Sequence, residues 1–175
     1  MNHLPMSKIK KLKNPKSSHY KRFKQAVLEE DFPWYYNASN SSSPSFFSHK
    51  FITRPEEGGW EKFPVKSSEQ VEHAHWLVVE ILKHNDIEVK CILRMNLNLV
   101  YPYHGKQETP VHVDHEYPHK NLIIYFTSAG GKIIMPDIKE SFDPREDDVI
   151  MFESTPHYIE LPRKEFRIAL VTTYI

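Results

Sequence analysis

Apolar residues recur with two different periods along this chain. Between 68 and 84 the period is helical: Val71, Ala74, His75, Val78, Ile81 and Leu82 fall at i, i+3, i+4, i+7, i+10 and i+11 and share one face. Ser67 and Gln70 fit a capping box at its start, and Asn85-Asp86 end it. A shorter helix is expected over 18–30, with Tyr20, Phe23 and Val27 on one stripe. Phe32-Pro33-Trp34-Tyr35-Tyr36 then breaks the helix and is expected to bury its aromatics; 37–45 is Ser/Asn-rich and reads as a loop, 54–65 as irregular. After residue 86 the period shortens. β-rich runs near 88–101, 111–115, 121–127, 132–136, 148–153, 157–161 and 166–174 are separated by Pro, Gly and Asp. No internal repeat is visible. The pattern predicts a mainly β protein: a jelly roll (double-stranded β-helix, cupin-like) over 88–175, buttressed on its outer face by helices from 18–87.

Composition narrows the class. A chain of 175 residues with 39% apolar and 13% aromatic residues suits one globular domain, 18–175, preceded by a flexible leader over 1–17. No apolar run reaches the ~20 residues of a membrane helix, and the basic N-terminus has no apolar core, so neither a membrane span nor a secretory signal is expected. The single cysteine, Cys91, rules out an internal disulfide framework and a zinc ribbon. It fits a cytoplasmic setting and is expected to be a small buried strand residue. Five glycines and no GxGxxG or GxxxxGK[ST] argue against a phosphate-cradling loop. Eight of the 23 basic residues fall within the first 24 positions, where Asp and Glu are absent; the rest of the chain carries 15 against all 23 acidic residues. Such a leader can grip nucleic acid or an acidic partner, but it is poor in aromatics and matches no nucleic-acid module, so a solvated terminus is the favoured reading.

The candidate chemistry begins at His112-Val113-Asp114. On a strand, residues i and i+2 face the same way, so an imidazole and a carboxylate would project together. His157, after Pro156 at the start of a later run, is the candidate third ligand. Two histidines and one carboxylate form the facial triad of non-haem Fe(II) oxygenases, with coordination positions left open. The tripeptide alone is weak, because chance supplies roughly 0.4 such matches in a chain of this composition. Arg167 strengthens it: its same-face neighbours Ala169, Val171 and Thr173 are small, leaving room for a ligand whose carboxylate would suit the guanidinium fork. An ordinary ion pair is the competing reading of Arg167 taken alone.

Together these residues resemble the Fe(II)- and 2-oxoglutarate-dependent oxygenases of the prolyl-hydroxylase-like branch, over about 88–175. Tyr101-Pro102 followed by His112-Val113-Asp114 resembles their "YPG…HVD" segment. Asn121–Thr127 resembles the "TxxxYLN" strand, Gly130-Gly131 the following "GG" turn, and Asp147–Phe152 the "GDxxxF" strand. Arg167–Val171 resembles the final strand. Upstream, Asp31–Tyr36 and Arg94–Leu99 resemble the "dFPWyy" and "R-x-x-x-N-L" segments of small viral and bacterial members. The resemblance implies iron ligation by His112, Asp114 and His157. It implies Arg167 and Tyr125 on the far carboxylate of 2-oxoglutarate, Tyr101 near the iron-bound end, and Asn98 as a weaker cosubstrate contact. It implies O2 as the oxidant. Thr127, Lys132 and Asp147 depart from the family pattern, which leaves the metal site intact and loosens the substrate analogy.

Three function classes follow. The first is an oxygenase acting on a peptide or protein side chain, a prolyl residue included. The second is a small-molecule or nucleobase oxygenase. The third is a metal-binding jelly-roll module without catalysis. Val113, Ile124 and Met151 are candidates to line or back the pocket. His75 reads as packing, His73 as surface, and His104, His115 and His119 as loop residues flanking the metal strand.

Overall fold

A computed structural model describes residues 8–39, 44–54, 63–104 and 108–175. Two helices and eleven strands are assigned among them. Strand β1 is Lys10–Leu12, helix α1 Ser18–Leu28, β2 Tyr35–Asn37, β3 Phe46–Thr53 and β4 Val65–Lys66. Helix α2 is Val71–His84 and β5 Ile92–Val100; then come β6 Lys120–Tyr125, β7 Ile133–Met135 and β8 Glu140–Phe142. The last are β9 Val149–Glu153, β10 Tyr158–Ile159 and β11 Arg167–Tyr174. No helix among them is long and apolar enough to cross a membrane.

The strands form two antiparallel sheets. The major one runs β1-β9-β6-β11-β5-β3-β2, with β4 on β3, and the minor one β10-β7-β8. Bridges Glu108↔Glu160 and His112↔His157 lay the 108–112 segment beside the β10 stretch. This is the expected mainly β jelly roll. Successive residues of a strand serve opposite faces, and here each face has its own core. Leu122, Ile124, Ile168 and Leu170 pack with Met95 and Leu97 under the helices. Ile123, Tyr125, Ile150, Phe152 and Ala169 pack between the sheets.

Both helices lie where the pattern placed them. In α1, Ser17 Oγ accepts from Tyr20 N (3.1 Å), and Tyr20, Phe23 and Val27 are buried. In α2 the buried stripe is Val71, Ala74, Leu77, Val78, Ile81 and Leu82. Leu77 replaces the expected His75, which is exposed; at about 100° per residue Leu77 lies nearer the centre of the stripe. The Ser67–Gln70 capping box does not form: Ser67 Oγ donates to Lys50 O (3.0 Å), and Ser68 Oγ accepts from Gln70 N.

The division into a helical buttress and a β core needs correction. β2, β3 and β4 all belong to the major sheet, with β3 paired to β5 from Met95 to Leu99. The leader is not loose throughout either: β1 pairs with β9, Leu12 is buried, and Lys11 bonds Asp148 (2.6 Å). Lys16 and Lys24 pair with Asp147, so basic residues near the N-terminus are spent on the turn before β9. Residues 1–7 and most of the 54–65 stretch lie outside the described residues. Phe32 is buried as expected, but Tyr35 and Tyr36 on the edge strand are exposed. Cys91 is exposed rather than buried.

Candidate metal centre and ligand cavity

His112 and Asp114 sit on the segment before β6, and His157 lies just before β10. His112 N donates to His157 O and His157 N to His112 O, both at 3.0 Å, so one antiparallel bridge pins the two histidines side by side. Their ring centroids are 4.5 Å apart. The candidate ligand atoms of His112, Asp114 and His157 all lie within 4.8 Å of one another. Each histidine Nδ1 faces a backbone carbonyl, Pro110 O for His112 (3.0 Å) and Thr155 O for His157 (2.9 Å). A carbonyl only accepts, so each Nδ1 is the donor there and each Nε2 is the nitrogen left to serve a metal. Burial pulls the His157 imidazole below the ordinary histidine range; Asp114 opposes this and His112 adds to it.

Asp114 is held by two arginines. Arg94 Nη1 donates to its Oδ1 (3.0 Å), and Arg54 Nη1 donates to its backbone oxygen (3.0 Å). Burial pushes the Asp114 carboxyl up, but Arg94, His157, His112 and Arg54 together hold it below the usual carboxylate range. The site therefore presents two imidazole Nε2 atoms and one carboxylate, a donor set that suits Fe(II) or Mn(II).

His112 and Asp114 open onto a cavity of about 370 Å³ whose wall includes Asn98, Tyr125, Arg167 and Ala169. Arg167 is 6% exposed. Its Nη1 donates to Gly131 O and Glu160 O, both at 3.1 Å, and more weakly to Gly130 O. These partners are carbonyls, and no carboxylate among the described residues pairs with this guanidinium. Burial lowers its pKa, and Tyr125 opposes the shift. Tyr125 lies beside it on the same wall, its phenol pushed up to about 12 chiefly by burial, so it stays a proton donor. Gly131 makes the seat for Arg167: at φ +85° it occupies left-handed space, and a Cβ there would meet Arg167 Nη1 at 2.6 Å and strike Glu160 O.

Of the expected residues, the triad, Arg167, Tyr125 and Asn98 come together around this region. Asn98 Oδ1 accepts from Asn96 Nδ2 (2.6 Å), which fixes its amide in the wall. Tyr101 is not brought in: it is 57% exposed, and its ring packs edge-on against Phe47. Among the expected lining residues, Val113 is exposed, Ile124 belongs to the helix-side core and Met151 packs against that core; Ile123, one residue earlier on β6, is the wall residue. His115 and His119 lie on the loop before β6, as expected, but both are buried: His115 Nε2 contacts Thr173 Oγ1 (2.8 Å), and the two rings meet edge-on at 4.8 Å. His73 is exposed, as expected. Arg94 and Arg54 are the residues around Asp114 to which sequence reasoning gave no part in the site. The signal for Arg94 was the run Arg94, Asn96, Asn98, three polar positions at i, i+2, i+4 inside an apolar strand.

No family profile matches the chain, and no curated protein matches it in sequence. Solved structures do match its fold. A 2OG-Fe(II) oxygenase family oxidoreductase from Burkholderia pseudomallei superposes with a TM-score of 0.68 at 14% identity, covering 89% of this chain and 78% of that one. A prolyl hydroxylase from Trichoplax adhaerens, solved with a hypoxia-inducible-factor peptide, gives 0.59 at 15%, covering 95% and 83%. The viral collagen prolyl hydroxylase of Paramecium bursaria Chlorella virus-1 gives 0.55 at 15%, covering 96% and 95%. The fold is thus that of the 2OG-Fe(II) oxygenases, prolyl hydroxylases among them.

Proposed function

We propose that the protein is an Fe(II)- and 2-oxoglutarate-dependent oxygenase that hydroxylates a C–H bond of a peptide or protein side chain. The observation that carries the reading is Arg167, a buried guanidinium without a carboxylate partner among the described residues, in the wall of the cavity onto which His112 and Asp114 open. A cation taken out of water at such cost calls for an anion delivered with the ligand. When bound, iron and 2-oxoglutarate supply the oxidising chemistry: decarboxylation yields succinate and CO2, with one atom of O2 entering succinate and the other the substrate hydroxyl. The chain's own part is to hold and orient. His112, Asp114 and His157 offer the metal one face, Arg167 and the protonated Tyr125 anchor the far carboxylate of the cosubstrate, and the apolar wall excludes water.

The size of the cavity supports a substrate that inserts one small group. Ten non-hydrogen atoms of 2-oxoglutarate occupy roughly 200 Å³, each taking somewhat less than the ~30 Å³ of a liquid water, out of about 370 Å³. The remainder suits a single side chain, a prolyl ring being the finer expectation. Exposed aromatics flank the wall residues Phe46 and Val100: Tyr36 packs on Phe47 and Phe47 on Tyr101. The Trichoplax enzyme of similar fold was solved with a peptide. A single, exposed cysteine fits work in the reducing cytoplasm.

The test is an anaerobic titration of Fe(II)-loaded protein with 2-oxoglutarate, followed by succinate release in air with peptide and nucleotide pools. A charge-transfer band in the visible and peptide-stimulated succinate are expected. His112→Ala, Asp114→Ala and His157→Ala should each abolish metal retention. Metal binding without any response to 2-oxoglutarate would leave a non-catalytic module.

A further inference from the structure

Asp114 has two carboxylate oxygens, and the structure gives them different neighbours. Oδ1 accepts from Arg94 Nη1 at 3.0 Å, whereas Oδ2 lies 3.7 Å from His157 Nε2, on the side of the triad. The backbone of the same residue is fixed by Arg54, so rotation that would bring both oxygens to one centre is opposed at both ends of the residue. Arg94 is itself held: it stands on β5 opposite Thr173 of β11, in the interior of the major sheet, with its side chain 18% exposed and that of Asp114 5%.

We propose that Arg94 is a positioning residue that restricts Asp114 to one metal–oxygen bond and thereby keeps a third coordination position open. The consequence follows from counting. Two imidazoles and one carboxylate oxygen leave three positions on a six-coordinate ion. A chelating 2-oxoglutarate takes two, and the third is left for O2. A carboxylate binding through both oxygens would close that third position and give a centre that holds cosubstrate but cannot admit oxidant. Charge-assisted hydrogen bonds to a carboxylate are short and directional, and a buried one resists exchange with solvent. Arg94 therefore acts on the metal through Asp114. The inference rests on the metal-centre reading above, and its test separates the two.

The probe is Mn(II), which suits the same donor set, and the readout is water-proton relaxation at saturating metal. Wild-type protein is expected to show three exchangeable waters on the ion. Arg94→Met is expected to lose one of them, a fall in inner-sphere relaxivity of about one-third, because Asp114 becomes free to chelate. Arg94→Gln, which keeps an N–H donor for Oδ1, is expected to retain all three. Wild-type relaxivity in Arg94→Met would overturn the proposal. Should Arg94→Met not fold, the infrared spectrum of the wild-type Mn(II) form decides: a wide splitting of the Asp114 carboxylate stretches marks one-oxygen binding, and a narrow, chelating splitting overturns the proposal. Failure of wild type to bind Mn(II) would instead remove the metal centre itself.

Discussion

Adding one methyl group at Gly131 tests the ligand cavity without substituting any residue proposed to bind metal or cosubstrate. Gly131 has φ +85°, and an alanine Cβ there would lie 2.6 Å from Arg167 Nη1 and against Glu160 O. Glu160 O cannot retreat easily, because Glu160 N is bonded to Lys132 O (2.8 Å), so the Gly131 turn must shift, and the guanidinium that its carbonyl holds moves with it. The left-handed backbone costs an L-residue about 1–2 kcal/mol of stability. A well-made arginine–carboxylate pair in a desolvated site is worth on the order of 2–5 kcal/mol. Displacing the fork by about an ångström forfeits a fraction of that, roughly 1–2 kcal/mol, or about 5- to 30-fold in 2-oxoglutarate affinity. Gly130→Ala is the control: it has a similar φ of +69° but nothing within 4 Å of its added Cβ. Both variants should melt lower than wild type, while only Gly131→Ala should bind 2-oxoglutarate more weakly, with Mn(II) affinity unchanged in both. The assay is isothermal titration of 2-oxoglutarate into the Mn(II) form, paired with thermal unfolding. If Gly131→Ala binds 2-oxoglutarate within twofold of wild type, Arg167 is not the anchor.

Arg167→Met should weaken 2-oxoglutarate by roughly 30-fold or more with metal affinity intact; Arg167→Lys should recover part, and Tyr125→Phe should cost about 1 kcal/mol or somewhat more, all read by the same titration. Asp147, held at about 2 by Lys16, Lys24 and Tyr20 against the burial that would raise it, contributes stability above the unfolded carboxylate pKa that is lost as pH falls through about 2. Asp147→Asn tolerates the positive φ. It should therefore be less stable by roughly 1 kcal/mol near neutrality after discounting for exposure, and the gap in denaturant midpoints should close between pH 4 and 2; a gap that persists at pH 2 would place the loss elsewhere. Deleting residues 1–17 strips Leu12 and two lysine ion pairs from the sheet and its turn, so thermal unfolding should shift down by several degrees; an unchanged melting curve would show β1 to be dispensable.

The parts of the fold legible in the sequence were those where burial alone sets the pattern. α2 buries one clean face and periodicity found it, while the runs containing β6, β9 and β11 are short apolar stretches buried on both faces and bounded by turn residues. β3 escaped because its alternation is hidden: Phe46, Ser48 and Lys50 point one way and Phe47, His49 and Phe51 the other, so neither face is purely apolar. Phe46 lines the cavity, and the polar Ser48 accepts from Asn37 on the neighbouring strand. β1 escaped because only Leu12 of its three residues is buried, while Lys11 answers Asp148, more than a hundred positions away. In the site, the triad could be read from spacing because a two-residue step on extended chain fixes a shared face. Arg94 could not be assigned its contact with Asp114, since that depends on which strand lies opposite the 112–114 segment, and nothing local in the sequence states it. Tyr101 was placed in the pocket by resemblance; the chain turns there so that its ring covers Phe47 instead.

The two cores on opposite faces of β6 and β11 divide the chain into positions that can drift and positions that cannot. On β11, Ile168 and Leu170 belong to the helix-side core, while Arg167, Ala169 and Val171 face the cavity. A shift of one residue in register would carry the guanidinium under α1 and α2 and turn isoleucine toward the ligand, so folding and ligand recognition fail together. Insertions within these strands are therefore closed as a route to new specificity. A change of substrate must come by substitution at alternate positions, or from the segments between strands, such as the one that brings Pro44 and Phe46 to the cavity wall. The scaffold in this way holds half of each strand constant for mechanical reasons and leaves the other half open to chemical change.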